Sequence, residues 1–126
     1  MLQSPSTVMR SNLFIFILIL LCTLFPAWVR ALPETIIEIK GNLFFPPEVV
    51  IPANKKVKLT FINHDPTPEE IDSFALNREK VIFGNSRGSI YVGPLSPGEY
   101  EFFGEFHPNS AVGKVIVKPL SEGTIK

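Results

Sequence analysis

The stretch YEFFGEFHPNSAVGKV, residues 100–115, has the layout of a strand that enters a loop and leaves it as another strand. Side chains alternate in direction along a strand, so Tyr100 and Phe102 share one face while Glu101 and Phe103 share the other. Because Glu101 should face water, Tyr100 and Phe102 are the expected core pair. The alternation should break after Gly104.

The loop of this stretch carries a carboxylate and an imidazole two residues apart, Glu105 and His107, just before the turn at Pro108 and Asn109. Such a pair can converge on one ion, and oxygen with nitrogen donors suits Cu(II), Fe(III), Mn(II) or Zn(II) rather than Cu(I). A lone histidine near a strand end is more often a hydrogen-bonded rim residue. Spacing alone leaves both interpretations open.

The chain before and after this stretch also predicts strands. The segment VKLTFIN, residues 57–63, alternates with Val57, Leu59 and Phe61 on one face. The best helix candidate, EEIDSFALNREKVI at residues 69–82, follows two prolines and fits a strand as well. Six to eight short strands joined by proline and glycine turns predict a two-sheet sandwich or a small barrel. The connection from residue 65 to residue 89 should be irregular.

The first thirty residues differ from the remainder. Residues 13–29, LFIFILILLCTLFPAWV, are apolar almost throughout and precede small residues at a predicted cleavage point after Ala31. We therefore predict a signal peptide at residues 1–31, an exported or periplasmic location, and a single domain at residues 32–126. The alternative is an uncleaved anchor formed by residues 13–29, although about 20 apolar residues are usual for a membrane span.

Residues 32–126 contain no cysteine or methionine, because Cys22, Met1 and Met9 all precede them. Ten basic residues against all 12 acidic ones give this segment a formal net charge of −2. That balance excludes the basic footprint of a nucleic-acid-binding protein. The missing sulfur excludes disulfides and thiolate metal sites. In these residues, with two histidines and no cysteine, we recognise no Ser/His/Asp or Cys/His arrangement, and a metal oxidase would need several more histidines, so we do not expect an enzyme.

A second acidic loop, NHDPTPEEIDS at residues 63–73, adds further donors. Taken alone, this loop is typical of a solvated surface segment. Its metal-competent side chains are His64, Asp65, Glu69, Glu70 and Asp72.

Together the two loops resemble the copper loops of cupredoxins of the plastocyanin type. The positions that match are Tyr100, Phe102, Phe103, His107, Gly113, Lys114, Val115 and, upstream, Asn63 and Pro68. Gly104 stands at the position of the copper cysteine, Ala111 near that of the methionine, and Glu69 at that of the first histidine. A blue-copper carrier needs a thiolate, so no type 1 copper centre is expected.

A narrower resemblance covers residues 34–119. The segments TPEEIDS and PLSPGEYEFFGEFHPNSAVGKVIV are similar to the cupredoxin-like domains of bacterial iron-uptake systems, the EfeO-type domains and their stand-alone periplasmic relatives. This resemblance implies an all-β, Greek-key sandwich of about seven strands. It also implies an accessory role beside a membrane metal permease or a periplasmic iron-binding partner.

Within that fold we expect a copper or iron ion at the meeting point of the two loops. His107 is the candidate nitrogen donor, and Glu105 and Glu69 are the candidate oxygen donors. Strand parity prevents Glu69 and Glu70 from facing one ion, and the resemblance favours Glu69. The secondary candidates are Glu70, Asp72 and His64. The alternative is a metal-free adaptor that docks on a permease or partner protein through the acidic loop.

Overall fold

The computed structural model describes residues 16–20 and 30–120. By its internal contacts the chain divides into two units, Met1–Ala31 and Leu32–Lys126. In the first unit, residues 16–20 are helical. None of the helical structure in the described ranges is long and apolar enough to cross a membrane. The predicted export signal lies mostly outside these ranges.

The second unit is built of strands. Those described are β1 Glu34–Lys40, β2 Leu43–Phe45, β3 Glu48–Pro52, β4 Val57–Asn63, β5 Glu69–Ser73, β6 Arg78–Ile82, β7 Ser86–Val92, β8 Gly98–Gly104 and β9 Val112–Lys118. Four of them form one sheet in the order β2-β1-β4-β7, and five form the other in the order β3-β9-β8-β5-β6. The predicted all-β sandwich is therefore confirmed.

The described unit has nine strands where about seven were expected. One addition is β2, only three residues long, which pairs with β1. The segment predicted to be irregular also contains strands, since β5 and β6 form an antiparallel hairpin there. The helix candidate at residues 69–82 is thus a hairpin, because Glu69, Ile71 and Ser73 alternate inward and Asn77 adopts a positive φ of 52° at the turn.

The core is organised around three phenylalanine rings. Phe44, Phe61 and Phe102 lie with ring centroids 5.0 to 6.1 Å apart and are all buried. Gly113 makes room for this cluster, since a Cβ there would stand 2.4 Å from the Phe102 ring. Phe44 closes the core, whereas Phe45 points outward and is exposed, because neighbouring residues of a strand face opposite sides.

Both sheets bring their connecting loops to the end of the sandwich where β4 and β8 finish. Asn63, the last residue of β4, is buried, and its amide nitrogen donates to the carbonyls of Thr67, Ile82 and Phe83 at 2.9 to 3.3 Å. Its side-chain oxygen accepts a hydrogen bond from the N–H of Asp65 at 3.0 Å. Asn63 therefore fixes the loop that leads into Glu69.

Candidate metal centre

Glu69 is a charged side chain inside the sandwich. It is the first residue of β5, it points inward, and its side chain is 2% exposed. One carboxylate oxygen, Oε1, accepts hydrogen bonds from the backbone N–H groups of Glu70 and Phe106, each at 3.0 Å. The other oxygen, Oε2, lies 2.6 Å from Nδ1 of His107. A buried carboxylate needs such partners because ionised groups lose their hydration inside a protein.

The space that Glu69 fills exists because two neighbouring positions are small. A Cβ on Gly104 would stand 2.5 Å from Cδ of Glu69 and 2.8 Å from Cβ of Ala111. Ala111 is fully buried. The carboxylate therefore takes up volume at the positions where the resemblance places a copper cysteine and, nearby, a methionine.

A tight turn holds His107 against the carboxylate. The N–H of Gly104 donates to the carbonyl of Ala111 at 2.8 Å, and the N–H of Ala111 donates to the carbonyl of His107 at 2.9 Å. The His107 side chain is 33% exposed, so solvent reaches the ring from one side. We call this arrangement of Glu69, Gly104, His107 and Ala111 the Glu69–His107 pole.

Asp65 anchors a neighbouring loop. Its two carboxylate oxygens accept hydrogen bonds from the backbone N–H groups of Gly41 at 2.8 Å and Asn42 at 3.0 Å. The Asn42 and Gly41 bonds hold the pKa of Asp65 below its ordinary value, with smaller contributions from the charges of His107 and His64. The loop before β5 is thereby tied to the turn between β1 and β2.

The remaining predicted donors lie elsewhere. Glu70 and Asp72 point to the outer face of the five-stranded sheet, and Glu105 is exposed in the turn after β8. Loss of hydration raises the pKa of Glu70, and the charge of Glu79 and a hydrogen bond to it raise it further. His64 pairs with Glu38 through Nε2 at 3.0 Å, and both side chains are about half exposed. Only Glu69 and His107 meet.

The residues present do not fit a type 1 copper ion. The thiolate position is Gly104, and a side chain there would collide with Glu69. Across residues 16–20 and 30–120, no group of three or more His, Cys, Asp or Glu side chains is arranged to hold an ion. The pole instead brings one imidazole against one carboxylate, and both oxygens of that carboxylate already have partners.

Comparison with known proteins identifies the family. The sequence pattern of the cupredoxin-like domain matches residues 13–117. An uncharacterized protein of Rickettsia prowazekii (strain Madrid E) is 42% identical over 84 residues, covering 67% of each chain. This chain therefore belongs to the cupredoxin-like domain family.

Three solved structures illustrate the fold at low sequence identity. The metal-binding domain of the Streptococcus pneumoniae D39 Cu(I)-exporting P-type ATPase CopA is 17% identical with a TM-score of 0.60, covering 68% of this chain and 84% of that one. Auracyanin A of Chloroflexus aurantiacus, a blue copper protein, is 14% identical with a TM-score of 0.60, covering 70% and 100%. A purple cupredoxin of Nitrosopumilus maritimus is 24% identical with a TM-score of 0.54, covering 67% and 99%.

Sequence reasoning grouped six candidate donors, and the structure separates them by strand parity and by sheet. The sequence alone did not indicate that the N–H groups of Glu70 and Phe106 would bind the Glu69 carboxylate. Two residues could have indicated it. The resemblance places copper ligands at positions 104 and 69, and this sequence has a small glycine at the first and a larger, charged glutamate at the second. The stabilising role of Asn63 had no such signal.

Proposed function

We propose that this chain is an exported cupredoxin-like protein that binds Cu(II) or Fe(III) through His107 at the Glu69–His107 pole. The observation that supports this proposal is the 2.6 Å contact between His107 Nδ1 and the buried Glu69 carboxylate. In metal sites, a ligating histidine characteristically gives its other ring N–H to a carboxylate, which fixes the tautomer and increases the basicity of the ligand nitrogen.

The geometry gives the two residues different roles. With Nδ1 donating to Glu69, the Nε2 atom of His107 keeps the lone pair that an ion requires. Both oxygens of Glu69 are already engaged. Glu69 is therefore a positioning residue, and His107 is the proposed ligand. The remaining coordination positions fall to water or to groups of a partner protein, which suits an ion that is passed on rather than stored.

The wider biological role rests on two features of the sequence. The apolar segment at residues 13–29 supports export, either with cleavage after Ala31 or as an anchored protein. The similarity of residues 34–119 to EfeO-type domains supports an accessory role in bacterial uptake of iron or a related metal. The ion would be received from, or delivered to, a membrane permease or a periplasmic iron-binding protein.

Calorimetric titration of the purified full chain with Cu(II) and with Fe(III) tests the proposal. We expect one ion per chain, loss of binding in His107→Ala, and affinity about 10- to 100-fold weaker in Glu69→Gln. Affinity should also fall as the pH is lowered, because protons compete for the imidazole nitrogen. His64→Ala and Glu105→Ala are the matched controls and should bind as the unmodified chain does. Binding that persists in His107→Ala contradicts the proposal.

A second candidate is a metal-free adaptor that docks on a membrane permease or partner protein. It is favoured by one observation: the carboxylate of Glu69 and the Nδ1 atom of His107 satisfy each other, so the pole is complete without an ion. Metal content after native purification separates the two candidates. An adaptor would contain no stoichiometric ion and would keep its complex in the His107→Ala variant. It would lose that complex on substitution of Phe106 or Glu70.

A further inference from the structure

The outer face of the five-stranded sheet is strongly acidic. We define the acidic sheet face as the outward side chains of β3, β5, β6, β8 and β9, together with Glu105 at the end of β8. Its acidic members are Glu48, Glu70, Asp72, Glu79, Glu99, Glu101 and Glu105. Its basic members are Lys114 and Lys118. More than half of the chain's 12 acidic residues thus lie on one side of the fold.

The same face exposes apolar side chains among the carboxylates. Phe103 stands between Val112 on β9 and Asp72 on β5, and its ring lies 5.9 Å from that of Phe74. Phe74 is 85% exposed, Val112 52% and Val50 55%. Apolar groups exposed together and surrounded by polar ones mark protein-interaction surfaces.

The carboxylates on this face are short of cationic partners. Lys114 pairs with Glu99 at 3.1 Å and is shared electrostatically with Glu48 and Glu101. Glu70 faces Glu79, Glu105 and Asp72, and the raised pKa of Glu70 reflects lost hydration and then the charge of Glu79. A positively charged surface placed here would relieve this repulsion.

The charge on this face determines which occupant fits it. Two copies joined symmetrically through the face would oppose carboxylates to carboxylates, since a twofold interface brings the same patch against itself. An anionic lipid surface would be repelled for the same reason. The face is on the order of 500 Å² for five strands about 4.8 Å apart, and this area suits a transient encounter.

We propose that the acidic sheet face docks a partner protein through a segment of that protein rich in lysine or arginine and interspersed with apolar side chains. The carboxylates attract and orient the basic groups, and Phe103, Phe74 and Val112 receive the apolar ones. This surface lies on the opposite side of β5 from the Glu69–His107 pole. A substitution that abolishes metal binding should therefore leave docking intact, and the reverse. The His107→Ala variant should dock normally.

The first test measures binding of a fluorescent probe peptide of alternating lysine and leucine to the full chain in an uncharged detergent. We expect saturable binding that weakens with added salt and falls about 10-fold in Glu101→Lys. Glu38→Lys, a charge reversal on the outer face of the four-stranded sheet, is the matched control and should change affinity less than about twofold. Equal losses in the two variants, or equal binding of a glutamate–leucine peptide, would overturn the proposal.

The second test places a photo-crosslinking residue at position 112 of the full chain in the producing cell, with position 36 as control. Ile36 is similarly exposed, at 50%, but lies on the four-stranded sheet. We expect an adduct only from position 112, to a peptide rich in lysine or arginine in another protein. An adduct to a second copy of this chain or to lipid, or equal adducts from both positions, would reject the proposal.

Discussion

Gly104 shows how one residue determines the chemistry of the pole. Its missing side chain leaves the space in which the Glu69 carboxylate contacts the N–H of Phe106 and the imidazole of His107. The resemblance places a copper cysteine and a copper histidine at positions 104 and 69, and here a side chain at position 104 would collide with Glu69.

At the residue scale we predict that Gly104→Ala destabilises the fold by about 2 kcal/mol, as overpacking of a filled core does. The added Cβ would stand 2.5 Å from Cδ of Glu69. Urea unfolding measures the loss. In the Gly104→Ala/Glu69→Ala variant the clash with the Glu69 carboxylate is absent and only the 2.8 Å contact with Cβ of Ala111 remains, so the combined loss should be smaller than the sum of the two single losses. Glu105→Ala, an exposed neighbour, should change stability by less than about 0.5 kcal/mol. Additive losses would contradict the packing account.

At the scale of elements, β5 is the decisive strand. Its side chains alternate so that Glu69 is buried while Glu70 lies on the acidic sheet face. Two adjacent glutamates thus have opposite surroundings. Asp65, in the loop just before β5, has a third environment, since two backbone N–H groups bind its carboxylate.

These environments predict opposite pH dependence for two substitutions. The pKa of Asp65 is lowered in the folded chain by the N–H groups of Asn42 and Gly41. Asp65 therefore contributes stability above its ordinary pKa of 3.8, and this contribution is lost as the pH falls through the folded value. Asp65→Asn should lower the melting temperature at neutral pH, and the difference should shrink in acid.

Glu70 should behave in the reverse manner. Loss of hydration and the charge of Glu79 raise its folded pKa above the ordinary 4.5, so its ionised form disfavours the folded state. Glu70→Gln should raise the melting temperature at neutral pH, and the gain should vanish below pH 4.5. Melting curves of both variants across the acid range test this pair of signs. Shifts of the same sign at neutral pH would show that these environments do not govern the two carboxylates.

At the scale of the whole molecule, the cupredoxin-like sandwich brings together four positions at one pole where the resemblance places copper ligands. His107 matches its ligand, whereas positions 69, 104 and 111 hold other residues. Residues 69, 104 and 111 converge in the structure, since a Cβ on Gly104 would contact both Glu69 and Ala111. His107 touches Glu69. The scaffold therefore still directs side chains from these four positions to one point.

This convergence predicts that the chain can be given a copper thiolate site. In a Cys22→Ser background, the Glu69→His/Gly104→Cys/Ala111→Met variant should develop an intense visible absorption band with Cu(II), because a thiolate, two imidazoles and a thioether form a blue-copper ligand set. The Cys22→Ser chain alone should show no such band. Absorption spectroscopy gives the result, and circular dichroism verifies folding. A folded triple variant without the band would show that the four positions do not meet.

The sequence by itself determined that the fold is all-β, that Val57, Leu59 and Phe61 share one face of their strand, that Phe102 lies in the core, and that residues 32–126 offer no thiolate. These results follow from alternation and composition, which act locally along the chain. It also indicated that Glu69 and Glu70 face opposite ways, since adjacent residues of a strand must.

Only the tertiary structure decided which donors meet. Glu69 and His107 are 38 residues apart, and their contact depends on the pairing of β5 with β8 and on the space above Gly104. The same pairing separates Glu105, Glu70 and Asp72 from that contact and gathers them on the outer face. The physical reason is that a strand fixes the direction of each side chain locally, whereas the neighbour it meets depends on which distant strand lies alongside.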